Sequence, residues 1–546
     1  MDALQIGRGS RETRSVKTWA WALVFLLTFL FWFPSAGNDF TYDDRPAAMG
    51  KQEHGINHSI RDKKPISHYF SSSYWESYSK KNTLYRPITV LSYALRYRLF
   101  GDNPLPAHLF NIFLASLGAV LVFWLLRILQ LGIGWSVAGA LVFSTHALHT
   151  EVVANVVGRA ELFAFDFGLS ACLILIIART KQGAGAGLLR LFGAGLFFLA
   201  FCSKENALNW LPFLPLLALC LHQLRPRGTP ILDRKLPFET LAALIPALLF
   251  FFLRGKMISH LPPGPDLTIN WTSNPLFFAS PESRILSAIL MEGWGFLQTF
   301  APFWLSADYG PHVAPVAPSL SSPTGMAALI VGVLLLSILG AGVAQWRKRP
   351  QLFLAAGIFF GFSFLTSNIA FPIGTVYGER LMFGPSLGFA IFLAYMGSRL
   401  PPKATPAGIL ALGLWLGASG IVGLKRQSVW KNNQVLFLHE VAEHPESIKM
   451  QLCAGQEWLL RNDFEKALIH FRQGVTLDPK NPSAWNLFGV ALLNLDRTRE
   501  AEVAFLRALR GRKRDLLLHR SAIERNLTLV RKKDQHGNRG RAKAPR

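Results

Sequence analysis

Long apolar segments separated by short charged connections occupy most of the chain before residue 425. An apolar helix of roughly 18 or more residues can cross the hydrocarbon layer of a bilayer, so this pattern restricts the chain to a membrane architecture. We predict about eleven spans, near residues 18–36, 106–129, 134–152, 160–179, 187–202, 207–222, 237–253, 324–344, 352–371, 381–398 and 407–424. The expected fold is an all-α, polytopic helical bundle, because helices satisfy their own backbone hydrogen bonds in lipid.

The composition agrees with a membrane bundle. Hydrophobic residues make up 51% of the chain and charged residues 16%, whereas an average soluble domain has about 25% charged residues. A net charge of +24 would suggest nucleic acid as the partner of a soluble protein. Here the basic residues are spread through the connections between spans, where they set orientation, and we expect no nucleic-acid partner.

The distribution of Lys and Arg predicts the orientation. If the N-terminal residues 1–17 are cytoplasmic, every strongly basic short connection falls on the cytoplasmic side. Whether residues 285–305 cross the membrane decides on which side every later connection lies. Placing the charge of Glu292, in the middle of this segment, against lipid would cost about 2.5–3.5 kcal/mol. We therefore predict an interfacial or re-entrant helix there; a twelfth span with Glu292 facing the bundle is the alternative.

With this orientation, the extracytoplasmic side holds residues 37–105, residues 254–323 and everything after residue 424. That side is the periplasm in a bacterium or the lumen of the endoplasmic reticulum in a eukaryote.

The C-terminal region contains a repeat. Identical residues recur at an offset of 34 in the pairs Gly455 and Gly489, Ala467 and Ala501, and Phe471 and Phe505. This period and pattern are typical of tetratricopeptide (TPR) repeats. We predict a short TPR α-solenoid over residues 425–530 and a disordered basic tail over 531–546. Such a solenoid binds a partner peptide or acts as a simple docking module.

Two adjacent acids follow the first span. Asp43 and Asp44 sit beside Arg45, a few residues past the apolar run. Adjacent carboxylates near a low-dielectric membrane repel each other, so one of them binds a proton more readily. That property suits a general base that accepts a proton from a hydroxyl group. The alternative is a solvated loop with surface acids.

Other predicted outer turns also carry ionisable side chains, which are rare at membrane depth and suggest function. These candidates are His149, Glu151, Arg159, Glu161, Lys204, Glu205, Asp308, Glu379 and Arg380. His149 and Glu151 could bind a divalent metal, but two ligands are too few alone, and no metal is indicated. Arg159 with Glu161, and Lys204 with Glu205, could equally form structural ion pairs. The sequence has no Gly-rich nucleotide loop, so a lipid-borne phosphate is favoured over a nucleotide sugar.

An ordered set of motifs resembles the transmembrane and tetratricopeptide-repeat-containing (TMTC) protein family. The resemblance extends from about residue 18 to 510, and the motifs are FTYDDRPA, YRPITVLSYALRYRLFGDNPLPAHLFNIFLASLGAVLVFWLLR, HALHTEVVANVVGRAELFA, SKENAL, FAPFWLSADY and GERLMFGPSLGF. It implies a GT-C glycosyltransferase fold and protein O-mannosyl transfer from a dolichyl-phosphate sugar to Ser or Thr. For a bacterial chain, the carrier would be undecaprenyl phosphate.

The resemblance also implies a catalytic acid in the first outer loop, which here is Asp43 or Asp44. Our hypothesis is a single inverting displacement, in which that acid deprotonates the acceptor hydroxyl and the lipid phosphate leaves. Arg159, Lys204 and Arg380 are the candidates to stabilise the phosphate, and His149, Glu151 and Glu161 to support the acceptor or the acid. Arg45, Glu205, Asp308 and Glu379 are further candidates. The acceptor protein is expected to bind through the TPR region.

Two other classes of function remain open at this point. A transporter of lipid-linked sugars would need an internal repeat of spans, which the sequence lacks. A non-catalytic scaffold would use the C-terminal repeats and would tolerate loss of the outer acids.

Overall fold

The computed structural model describes residues 11–52, 55–76, 82–224, 236–262 and 269–541. The first ten residues of the predicted cytoplasmic N-terminus, the basic connection at 225–235 and the last five residues of the tail lie outside these ranges. Within the described residues the chain is almost wholly helical, and the only sheet pairs the short strands β1 (Lys51–Gln52) and β2 (Gly55–Ile56) antiparallel.

Seventeen α-helices precede residue 430 in the described part of the chain. They are α1 (Arg11–Trp32), α2 (Asp44–Ala48), α3 (His58–Arg61), α4 (Ile66–Ser71), α5 (Pro87–Phe100), α6 (Leu105–Ile128), α7 (Ile133–Ser144), α8 (Thr150–Ala154), α9 (Arg159–Ala178), α10 (Gly183–Phe201), α11 (Trp210–Gln223), α12 (Leu236–Ser259), α13 (Pro281–Phe300), α14 (Pro323–Ala344), α15 (Pro350–Phe364), α16 (Ser386–Ser398) and α17 (Thr405–Val429). Short 3-10 helices occupy Phe33–Gly37, Ala147–His149, Val156–Gly158, Glu205–Asn209, Pro275–Phe278 and Glu379–Met382.

The chain is a multi-pass membrane protein with an all-α fold. Helices lie at all eleven predicted span positions, but among the described residues only seven are long and apolar enough to cross a membrane, namely α1, α6, α9, α10, α12, α14 and α17. An eighth span forms if α7 and the helical segment Ala147–Ala154, bent by 47° from it, count as one.

The helices at the other predicted positions are short. Helices α11, α15 and α16 have 14, 15 and 13 residues. Each is adjacent to an irregular turn, and those turns carry Lys204, Glu379 and Arg380. Lys204 and Glu379, which these turns carry, are buried within the protein.

Helix α13 covers most of residues 285–305, whose crossing of the membrane decides on which side the later connections lie. It is not among the helices suited to span the membrane. Before it, Thr272 accepts a hydrogen bond from Asn481 at 3.0 Å; after it, Ser306 donates one to Glu440 at 2.8 Å. Both flanks of α13 therefore contact the C-terminal helices, so α13 begins and ends on one side. The interfacial or re-entrant position of this helix stays a prediction.

The C-terminal helices follow α17 directly. They are α18 (Asn433–Glu443), α19 (Ile448–Leu460), α20 (Phe464–Leu477), α21 (Pro482–Asn494), α22 (Thr498–Leu509) and α23 (Lys513–Arg541). Asp463 and Asn481 cap α20 and α21 by accepting the N–H groups of Lys466 and Ala484. Helix α23 continues to Arg541, so the tail predicted to be disordered from residue 531 is helical over most of its length. Its earlier turns anchor it, because Val530 is buried against the other helices.

The 34-residue offset corresponds to equivalent contacts between these helices. A Cβ on Gly455 would lie 2.4 Å from the ring of Phe471, and one on Gly489 would lie 2.7 Å from the ring of Phe505. Glycine at both positions lets α19 approach α20 and α21 approach α22 in the same way. The assignment of these pairs as TPR units stays a prediction.

Candidate active site

The segment 38–45, which we call the acid loop, runs from the end of the first span into α2. Asp44 is fully buried there, and its carboxylate accepts three backbone N–H groups: Thr41 at 3.1 Å, Val156 at 3.0 Å and Val157 at 2.7 Å. Burial raises the pKa of Asp44 from 3.8 to about 7, and the three hydrogen bonds oppose that rise. The side chain is thus occupied in joining the acid loop to the turn before α9.

That turn is shaped for this role. Val156–Gly158 forms a 3-10 helix that directs two successive N–H groups at Asp44. A Cβ on Gly158 would lie 2.0 Å from the carbonyl oxygen of Val152, so only glycine allows the turn to close this tightly.

Asp43 differs from its neighbour. It precedes α2, makes no capping hydrogen bond and is only half-buried. Its negative charge contributes to raising the pKa of Arg380 and of Lys449. Asp43 therefore lies near two cations that come from distant parts of the chain, with its carboxylate still accessible.

Arg380 lies in the turn between α15 and α16. Its guanidinium pairs with the carboxylate of Glu151, and its backbone N–H donates to Glu151 Oε2 at 3.2 Å. Glu151 raises the pKa of Arg380, with a further contribution from Asp43. The Arg380 side chain is 34% exposed, while that of Glu151 is 4% exposed. Arg380 is therefore a permanently charged group with N–H donors available to a ligand.

Lys204 and Glu205 form two adjacent ion pairs. Lys204 contacts Glu161, whose other oxygen accepts Asn206 Nδ2 at 2.6 Å. Arg86 donates through Nε and Nη2, at 3.0 and 2.9 Å, to Glu205 Oε2. Burial lowers the pKa of Lys204, with repulsion from Arg86 and Arg380 in the same direction and Glu161 opposing them. Lys204 and Arg380 therefore act on each other electrostatically, and each is paired with its own glutamate.

Arg159 is placed differently from the other two cations of the predicted phosphate site. It is fully buried and donates to Asn111 at 3.0 Å, Ser92 at 3.3 Å and the Ala107 carbonyl at 3.1 Å. Its guanidinium also lies 5.2 Å from the centre of the Tyr93 ring. These contacts use its donors within the bundle, so it braces α9 and is not available to a phosphate.

His149 is likewise inside the bundle. Its Nε2 lies 2.9 Å from Ser386 Oγ, and its ring packs against Phe143 and Phe383 at 4.9 and 4.4 Å. His149 and Glu151 are only two residues apart, but His149 contacts Ser386 and Phe383 whereas Glu151 pairs with Arg380. Among the described residues, no group of three His, Cys, Asp or Glu side chains could hold a metal ion.

Of the three remaining candidates, Arg45 and Asp308 contact the C-terminal helices, whereas Glu379 contacts the loop after α13. Arg45 pairs with Glu457 at 3.3 Å, and Asp308 accepts Ser447 Oγ at 2.7 Å. Glu379 accepts the Ser306 N–H at 2.5 Å. Burial raises the pKa of Glu379 from 4.5 to about 8, and Arg426 opposes that rise.

Two residues that the sequence reasoning missed are Arg86 and Lys449. Arg86 had a detectable signal, since a lone arginine immediately precedes the apolar helix α5 in one of the quoted motifs. Lys449 had none, because it is one of many basic residues on the C-terminal helices and meets the acid loop about 400 residues earlier in the chain.

The comparisons with known proteins identify the class of homologue. This multi-pass helical chain is homologous to protein O-mannosyl-transferases. TMTC3 of Homo sapiens is 25% identical over 523 residues, which cover 89% of this chain and 54% of TMTC3. TMTC4 of Mus musculus is 24% identical over 83% of this chain and 66% of its own length. TMTC1 of Homo sapiens is 24% identical over 83% of this chain and 54% of its own length.

The chain thus spans about half to two thirds of the length of these curated relatives. No family model matches it. Among solved structures, ArnT from Cupriavidus metallidurans bound to undecaprenyl phosphate aligns with 89% of this chain and 80% of its own, at 12% identity and a TM-score of 0.37.

Proposed function

We propose that this chain is a membrane glycosyltransferase that moves a hexose from a polyprenyl- or dolichyl-phosphate carrier to a hydroxyl group of a protein Ser or Thr. The homologues named as protein O-mannosyl-transferases make mannose the first sugar to test. The observation that carries the proposal is the position of Asp43, a half-buried carboxylate without a capping bond that interacts with the partly exposed Arg380.

Arg380 and Lys204 are the proposed site for the carrier phosphate. A guanidinium can bind two phosphate oxygens at once, and a lysine adds a point charge. Burial lowers the pKa of Lys204, and repulsion from Arg86 and, less strongly, from Arg380 acts in the same direction. An anionic phosphate placed between the two would relieve that repulsion, and Glu151 and Glu161 hold the cations in place until it arrives.

Asp43 is the proposed general base. The acceptor hydroxyl gives its proton to the Asp43 carboxylate while its oxygen attacks C1 of the sugar. The bond between C1 and the phosphate oxygen breaks, and the lipid phosphate leaves with the bonding electrons, stabilised by Arg380 and Lys204. One such displacement inverts the anomeric centre. Asp44, whose carboxylate already accepts three N–H groups, is assigned to holding the loop and not to proton transfer.

The proposed topology has a cytoplasmic N-terminus, membrane helices over residues 18–424 and extracytoplasmic C-terminal helices that form a TPR domain over 425–530. The Asp39 N–H donates to the Lys431 carbonyl at 2.8 Å, so the ends of α1 and α17 lie on one side. An odd number of spans satisfies that contact, in agreement with eleven. The TPR helices are the proposed binding region for the acceptor protein.

The test uses the full chain, purified in nanodiscs, with a panel of lipid donors. Mannose and glucose are each supplied on dolichyl phosphate and on undecaprenyl phosphate, with GDP-mannose as the soluble control. A pool of Ser- and Thr-containing peptides serves as acceptor, and mass spectrometry detects the added hexose. We expect transfer from at least one lipid donor, with inverted configuration in the product and none from GDP-mannose. No transfer from any lipid donor, or transfer from GDP-mannose alone, would refute the proposal.

A further inference from the structure

The acid loop is held from outside by the end of α17 and the start of α18. Asn38 Nδ2 donates to the Gln427 carbonyl at 3.2 Å, and Thr41 Oγ1 donates to the Trp430 carbonyl at 3.1 Å. The Tyr42 N–H donates to Asn433 Oδ1 at 2.6 Å. The backbone on the N-terminal side of Asp43 therefore takes its conformation from residues almost 400 positions later in the chain.

Tyr42 has an unusual backbone conformation. Its φ of +57° lies in the left-handed region, which non-glycine residues rarely occupy without compensating contacts. The Tyr42 ring meets Phe437 edge-on with centres 5.9 Å apart, and the ammonium of Lys449 lies 4.8 Å from the ring centre. Phe437 and Lys449 belong to α18 and α19, so the C-terminal helices stabilise this strained residue immediately before Asp43.

Two carboxylates, those of Asp308 and Asp43, act electrostatically on Lys449. Asp308 is itself fixed by a 2.7 Å hydrogen bond from Ser447 Oγ at the start of α19. Burial lowers the pKa of Lys449, but Tyr42, Asp308 and Asp43 outweigh that effect and raise the pKa above its usual value. The ammonium consequently remains charged over the whole working range of pH.

We infer that Lys449 is a positioning residue for the transfer reaction, which fixes the acid loop, and with it the Asp43 carboxylate, through its contact with the ring of Tyr42, the residue before Asp43. The inference rests on the proposed function. It makes α18 and α19 part of the catalytic unit, in addition to any role of the C-terminal helices in binding the acceptor.

The test compares three full-length variants in the transfer assay described above. Lys449→Met removes the charge and keeps most of the side-chain length, whereas Lys449→Arg restores the charge. Lys466→Met is the matched control, because Lys466 also lies over an aromatic ring, 4.4 Å from the centre of Trp458, but pairs with Asp463 on its own segment. The dolichyl- or undecaprenyl-phosphate sugar that the wild type uses best serves as donor.

We expect Lys449→Met to lower kcat by about tenfold or more, because a small displacement of the base is costly, while the KM for the lipid donor changes by less than about twofold. Lys449→Arg should recover most of the lost kcat, and Lys466→Met should match the wild type. A purely structural lysine would instead lower the yield of folded protein and leave kcat per folded molecule unchanged.

The outcomes separate the two proposals. Wild-type transfer that persists unchanged in Lys449→Met overturns the inference and leaves the proposed function standing. A loss of kcat in Lys449→Met that Lys449→Arg does not restore overturns the role of the charge. A wild-type chain that is inactive with every lipid donor refutes the proposed function, and the role of Lys449 in it falls as well.

Discussion

Asp43 and Asp44 are adjacent in the chain but differ in burial and in hydrogen bonding. The carboxylate of Asp44 accepts three backbone N–H groups, whereas Asp43 makes no capping bond and remains partly open beside Arg380. The same contrast separates Arg159, with its donors used inside the bundle, from Arg380, with a third of its side chain exposed. In a chain with charged residues in many of its turns, hydrogen-bonding capacity that is not used within the protein distinguishes a candidate reactive group from a structural one.

The largest expected effects come from replacing each acid by its amide. Asp43→Asn should reduce kcat by about 10²–10⁴ with unchanged thermal stability, because only the proton acceptor is lost. In Asp44→Asn, the amide side chain offers one accepting oxygen in place of two to the N–H groups of Thr41, Val156 and Val157. We expect it to cost about 1–3 kcal/mol of stability for a buried N–H left unpaired.

The measurements are initial transfer rates and thermal unfolding of the full chain in the same nanodiscs. The assignment of Asp43 as the base and Asp44 as the structural acid is wrong if Asp43→Asn retains near-normal turnover. It is also wrong if Asp44→Asn is as stable as the wild type and loses only turnover. A non-catalytic scaffold would predict that neither amide changes the binding of partners by the C-terminal helices.

A smaller effect is expected from exchanging each arginine for lysine. Arg380→Lys keeps a charge for Glu151 but loses the two-pronged contact with phosphate, so the KM for the lipid donor should rise by about tenfold. Arg159→Lys should leave that KM unchanged and lower stability, because the contacts with Asn111, Ser92 and Ala107 need the fork of the guanidinium. Donor titrations and unfolding curves for both variants provide the check. An increase in donor KM for Arg159→Lys equal to that of Arg380→Lys would contradict the distinction.

The smallest effect is a dependence of stability on pH. Burial raises the pKa of Asp44 from 3.8 to about 7 and that of Glu379 from 4.5 to about 8. A raised carboxyl pKa contributes stability that is complete below the unfolded pKa and is lost as the pH rises through the folded pKa. The unfolding temperature should therefore fall by a few degrees between about pH 4 and pH 8, the range between the unfolded and folded pKa values of these two groups. Glu379→Gln should make this fall shallower; a profile that rises with pH in the wild type would disprove the assignment.

The limits of prediction from sequence can be located at particular residues. The eleven span positions could be predicted because hydropathy is a local property, and a helix lies at each of them; the sequence did not show that α11, α15 and α16 are short and end in turns. The sequence identifies the outer turns as carriers of charge, and in the structure Arg380 pairs with Glu151 and Lys204 with Glu161. Arg159 and His149 are of residue types that could bind phosphate or support the reaction. Only their contacts inside the bundle show that their polar atoms are already used there.

Residue type and short spacing were enough to predict the membrane architecture, the 34-residue offset and the set of ionisable residues in the turns. Folding distinguishes the two acids, since two of the three N–H groups that bind the Asp44 carboxylate come from residues more than 100 positions away. The same holds for Lys449, which reaches the acid loop from the other end of the chain. Whether a side chain's hydrogen-bonding groups are already used, and which charges lie near it, depends on contacts between distant segments. Hydropathy and local spacing cannot predict those contacts.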